Sequence, residues 1–143
     1  MEYERSCKML RKDGLPEGYG ICVTKTISAA PSACYAVWAD ARDFAKWFGD
    51  GVKANVQDGG EYSDAGGNKG VYSRVRENKD LRFSWENPTF SSISAVDVMF
   101  NEKAPGKTLV TLNHSRIQTR HEADGLRSAW GEAFDRMKKQ IEG

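Results

Sequence analysis

Long apolar runs are missing from this sequence. None approaches the 18 or so residues of a membrane-crossing helix, and no signal-peptide core opens the chain, so a cytoplasmic setting is expected. Histidine is scarce, with two residues (His114 and His121), and cysteine nearly so, with Cys7, Cys22 and Cys34. These five are widely spaced and show no metal-ligand pattern, so no metal is expected and the thiols read as reduced. A surplus of positive charge is also missing. Net charge is +1, with Lys and Arg interleaved among Asp and Glu, which argues against nucleic acid as a partner. The glycine pairs Gly59-Gly60 and Gly66-Gly67 form neither a dinucleotide fingerprint nor a Walker loop, and no nucleotide cofactor is expected.

What is present suits one soluble domain. In 143 residues, 39% hydrophobic and 29% charged, there is enough apolar surface for a core and too much for disorder. Thr119 to Gly143 predicts a long amphipathic helix. Leu126, Trp130, Phe134, Met137 and Ile141 fall on one face, and Thr119 with Glu122 has capping-box spacing. Residues 1–19 read as an N-terminal arm, with Met1 to Lys12 open to a short helix, and 20–143 as the domain. Ile21 to Ser28 is an alternating, β-branched strand. Two short helices follow, one opened by Pro31 and one over Arg42 to Phe48. Strands are then expected at Val52–Val56, Gly60–Asp64, Gly70–Arg76, Leu81–Glu86, Ile93–Asn101 and Thr108–Ile117, joined by turns as an antiparallel meander. The order makes an α+β fold, with a curved sheet wrapped on the long helix.

The words Ala30-Pro31 with Tyr35 and Trp38-Ala39-Asp40, then Lys46-Trp47-Phe48-Gly49, Phe83-Ser84-Trp85 and Thr111-Leu112-Asn113-His114-Ser115 occur in order. With them, residues 20 to 142 resemble the START-like, Bet v-allergen-like superfamily (SRPBCC). Within it, the chain is similar to the branch of homologues of the activator of heat-shock protein 90 ATPase. Cys34-Tyr35 and Val37 depart mildly from the branch's usual helix pattern. The resemblance implies a helix-grip fold with a cavity between sheet and helix, and no shared catalytic motif.

Ring-bearing and neighbouring residues are the candidate lining: Trp38, Trp47, Phe48, Tyr72, Phe83, Trp85, Leu112, His114, Trp130 and Phe134. They make either a filled core or the wall of a pocket, with Trp85, Trp130 and Phe134 the first choices for a wall. His114 continues the inward face of Val110 and Leu112, as a core histidine or as an acid or base. His121 reads as solvated. Asp97 shares a face with Ile93, Ala95 and Met99; it is a buried carboxylate and candidate general base if that face is inward, and exposed if the Val96, Val98, Phe100 face is inward, which is the favoured reading. Tyr62, Tyr72 and Arg74 read either as surface residues or as polar groups at a cavity mouth. Binding of a small hydrophobic or amphipathic molecule is the first functional expectation. A cyclase- or hydrolase-like enzyme using the same cavity is the second. A chaperone-interacting module is the third, because residues 1–19 leave no room for the further N-terminal domain of the activator proteins. Exposed sheet edges would permit a homodimer.

Overall fold

The computed structural model describes residues 7–10, 16–90 and 92–143. Eight strands and three helices run in the order β1 (Cys7–Leu10), β2 (Pro16–Ile27), α1 (Pro31–Ala39), α2 (Ala41–Phe48), β3 (Lys53–Ala54), β4 (Glu61–Ser63), β5 (Lys69–Arg76), β6 (Asp80–Trp85), β7 (Ser94–Ala104), β8 (Lys107–Ile117) and α3 (Arg120–Glu142). The eight strands form one antiparallel sheet, ordered β1-β2-β8-β7-β6-β5-β4-β3. The chain adds β3 to β8 as a meander, and β8 closes back on β2. Helix α3 then lies across the concave face, so this is the helix-grip architecture that the sequence order implied.

Two expectations need correction at the N-terminal side. Residues 7–10 form a strand rather than part of a helix, and the rest of Met1 to Lys12 lies outside the described residues. Cys7 pairs with Gly20 and Leu10 with Pro16. An edge offers unpaired backbone groups to any extended segment, and three spaced apolar residues are a weak helix signal beside that. For the same reason β2 starts at Pro16, before the expected Ile21. The strand expected over Val52–Val56 shrinks to Lys53–Ala54.

Alternation sets the faces elsewhere. In β7, Ser94, Val96, Val98 and Phe100 are buried and Asp97 faces outward, where it pairs with Arg74 and Arg82. In β8, Thr108, Val110, Leu112 and His114 point inward. The pairing to β2 then slips by one residue between Ile21↔His114 and Tyr19↔Ile117, with Arg116 at φ 63°. That bulge moves Ile117 onto the inner face. Tyr62 and Tyr72, which had a surface reading, are both buried. Gly70 allows it: a Cβ there would sit 2.6 Å from the Tyr62 ring and 1.9 Å from the Ser84 carbonyl oxygen. Tyr62 instead crosses over β5 and donates its hydroxyl to that carbonyl at 2.7 Å.

The helices are capped by the residues their sequences offer. Asp40 accepts from Arg42 N–H and Asp43 N–H to start α2, and these bonds hold its carboxyl below the usual range. Thr119 Oγ1 accepts the Glu122 N–H at 3.1 Å to start α3, a contribution of about 1 kcal/mol. Arg136 and Gln140 of α3 reach back to α2, donating to the Trp47 and Asp43 carbonyls at 2.9 and 3.0 Å. Lys138 does the same for Thr26 of β2. The long helix is thereby pinned to both the sheet and the helical plug.

Candidate functional site

Between sheet and helix the space is filled. Trp38, fully enclosed, has the rings of Phe44, Trp47, Phe83, Phe100, Trp130 and Phe134 around it with centroids 4.7 to 6.3 Å away. Its indole N–H points at Met137 Sδ, 3.2 Å away, and that of Trp47 donates to the Val37 carbonyl at 2.9 Å. Trp38, Trp47, Tyr72, Phe83, Leu112 and Phe134, all candidates for a lining, sit in this interior. Burial pushes the Tyr72 and Tyr62 hydroxyls well above the ordinary tyrosine range.

His114 stands at the edge of the interior, with none of its surface exposed. Trp130 Nε1–H donates to its Nδ1 at 3.1 Å. An indole nitrogen can only donate, so Nδ1 carries the lone pair and the proton of the neutral ring sits on Nε2. Nε2–H then donates to Ser94 Oγ at 2.7 Å, which leaves the serine hydroxyl to donate to the Trp85 carbonyl, 3.4 Å away. The relay uses both ring nitrogens, and neither is left for a substrate. Burial drives the imidazole pKa down to about 3, so the ring is neutral at physiological pH. What His114 does in this geometry is hold the end of β6 and the middle of α3 at a fixed distance.

The opening lies just beyond that relay. A cleft of about 590 Å³ runs between the N-terminal half of α3 and the segments around the end of β6. Its aromatic lining is Phe48, Trp85, Phe90 and Trp130, the last from α3, which also contributes Gly125, Leu126, Ala129 and Ala133. Polar groups at its margin are Asn68, Thr89, His121, Glu122 and Arg136. Of the residues singled out in the sequence, the cleft brings together Phe48, Trp85 and Trp130. Phe134 instead borders a second groove of about 620 Å³ on the opposite flank of α3, where Lys25, Arg127, Glu132 and Asp135 give a charged lining.

Sequence reasoning passed over the small residues. Gly125, Ala129 and Ala133 recur every four residues beside the Leu126, Trp130, Phe134 stripe, which is a legible signal for a shallow helix face. Phe90 and Thr89 lie in the β6–β7 connection, where no periodicity marks a role. Among the described residues no group of three or more His, Cys, Asp or Glu is placed to hold a metal ion, and no helix is long and apolar enough to cross a membrane.

The comparisons with known proteins agree with this architecture. Residues 28–142 match the family model described as Activator of Hsp90 ATPase homolog 1-like protein. The chain belongs to that family. It is thus a member of the START-like branch that the sequence words resembled, and the match begins at the end of β2 and takes in all of α3. No curated protein matches the sequence. Among solved structures the chain is similar to CalU16 from Micromonospora echinospora, with a TM-score of 0.82 and 18% identity over 96% of this chain and 83% of that one. It is similar to the Aha1 dimer from Colwellia psychrerythraea, with a TM-score of 0.77 and 16% identity over 86% of this chain and 96% of that one. It is also similar to PFC0360w, an HSP90 activator from Plasmodium falciparum, with a TM-score of 0.70 and 16% identity over 78% of this chain and 86% of that one. At these identities the shared property is the fold.

Proposed function

We propose that this protein binds a small hydrophobic or amphipathic molecule in the cleft between α3 and the end of β6. The observation that carries the reading is the cleft itself: about 590 Å³, within the range of small-molecule sites, with Phe48, Trp85, Phe90 and Trp130 on its aromatic side and polar groups kept to the margin. The ligand occupies this end of the groove rather than the interior, because Trp38 and its neighbours already fill the space beneath. Arg136 is fixed by its Nε bond to the Trp47 carbonyl and stands at the margin, where the polar end of an amphipathic ligand would emerge. The catalytic alternative finds less support, since His114 is sealed behind the wall with both nitrogens engaged.

The test is native mass spectrometry of the purified protein, followed by tryptophan fluorescence on titration with fatty acids, a sterol and a flavonoid. A co-purifying mass or saturable quenching is expected, and Gly125→Leu, which fills the cleft from the exposed face of α3, should abolish it. Absence of both signals in the folded wild-type protein would sink the binding reading.

The family match supports a second reading, contact with an Hsp90-type chaperone. Stimulation of a purified chaperone's ATPase by this chain is the readout, and an unchanged rate at saturating protein counts against it.

A further inference from the structure

The four tryptophans do not share one fate. Trp38, Trp47 and Trp130 each direct the indole N–H at a protein atom: Met137 Sδ, the Val37 carbonyl and His114 Nδ1. Trp85 does not. Its Nε1 is buried and has no hydrogen-bond partner among the described residues, and the residue as a whole is 6% exposed. A buried donor without an acceptor loses its water and gains nothing in return, and native proteins keep few of them. This one belongs to a ring in the wall of the cleft.

A second observation comes from the α3 side of the same cleft. Gly125 lies in the body of the helix at ordinary helical φ, where glycine is less favourable than alanine because it has more backbone freedom to lose. Among the described residues nothing lies within 4 Å of where its Cβ would be, so no contact there requires the missing side chain. With exposed Ala129 one turn on, it leaves a shallow strip of backbone beside the aromatic wall.

We propose that the cleft takes a flat, largely apolar molecule carrying a carbonyl-type oxygen, which lies along Gly125 and Ala129 and accepts the Trp85 indole proton. This rests on the binding reading above and names the ligand's chemistry. Flatness follows from the lining, in which four rings stand beside the low stretch of α3 at Gly125 and Ala129. The oxygen is a thin terminal one, because Nε1 is buried and a branched headgroup would not reach it. It is uncharged, because a carboxylate there would surrender its water for a single donor.

The test uses a matched pair of probes, fluorenone and fluorene, which differ by one carbonyl oxygen. Each displaces the dye anilinonaphthalene sulfonate from the wild-type protein and from Trp85→Phe, which keeps an aromatic ring and loses the N–H. Wild-type protein should prefer fluorenone by about fivefold to tenfold, the range of a net hydrogen bond. Trp85→Phe should bind the two alike. In ¹⁵N-labelled wild-type protein the Trp85 indole proton should move downfield with fluorenone and not with fluorene, a readout that needs no variant. Equal binding of both probes, or a preference that survives in Trp85→Phe, overturns the carbonyl assignment and leaves the cleft reading standing. Failure of both probes to displace the dye or shift any cleft resonance overturns the assignment together with that reading.

Discussion

The interior around Trp38 and the cleft around Trp85 are built from the same residue types within one small domain, yet they are finished differently. In the interior every large ring is enclosed by others and each indole N–H has a partner. In the cleft one indole N–H has none among the described residues, one helix position lacks a side chain, and the polar groups stand at the margin. The first pattern is what stability asks of a core. The second gives up stability at two points, and both border the same open volume. His114 is the joint between them. Its bond to Trp130 faces the interior, and its relay through Ser94 sets the backbone of Trp85.

That contrast can be broken by substitution. The largest effect is expected at Trp38→Ala, which empties the centre of the ring cluster and should cost about 3–5 kcal/mol in urea unfolding. A loss below about 1 kcal/mol would mean the interior collapses freely and is no packed core. Next comes acid. His114 has a folded pKa near 3, against about 6.5 when unfolded, so between those values the unfolded chain binds more protons. The contribution is intact above pH 6.5 and is lost as pH falls toward 3, at roughly 1 kcal/mol per pH unit. Between pH 6.5 and 5, above the range of the capping and paired carboxylates Asp40, Asp80 and Glu142, this slope belongs to His114. His114→Asn should flatten it, and an unchanged slope would assign it elsewhere.

The indole nitrogens sharpen the comparison. Trp130→Phe strands His114 Nδ1 and should cost about 1–2 kcal/mol, whereas Trp85→Phe removes an unpartnered donor and should leave stability equal or raise it by about 1 kcal/mol. Thermal melts of the two variants, side by side, read the difference in sign. The smallest effect is Gly125→Ala, expected to stabilise by about 0.5–1 kcal/mol through helix propensity, since its Cβ meets nothing. A destabilised Gly125→Ala would show that the strip is packed after all.

Much of the fold could be read in the sequence because its signals are periodic and redundant. The stripe from Leu126 to Ile141 and the Thr119 cap specify α3, and alternation places Val96, Val98 and Phe100 inward and Asp97 outward. Where backbone pairing decides, the sequence is less informative. The β1 strand is an edge segment recruited by hydrogen bonds, and the bulge at Arg116 turns on a single positive φ. For the site, rings alone could not separate core from wall: Trp38 and Trp85 look alike in sequence. The distinction lies in what surrounds each N–H, which depends on contacts between residues as distant as Ser94, His114 and Trp130. The small residues of α3 were visible, but their meaning required knowing that no neighbour packs against them.

The sharpest test of a sealed interior beside an open cleft is hydrogen exchange of the four indole N–H groups, assigned with single Trp→Phe variants and followed by NMR after transfer to D₂O. Trp38, Trp47 and Trp130 should exchange slowly, on the timescale of global unfolding, while Trp85 should exchange fast through local motion at the cleft. Four indole protons with the same protection, or a Trp85 proton as slow as the other three, would contradict it.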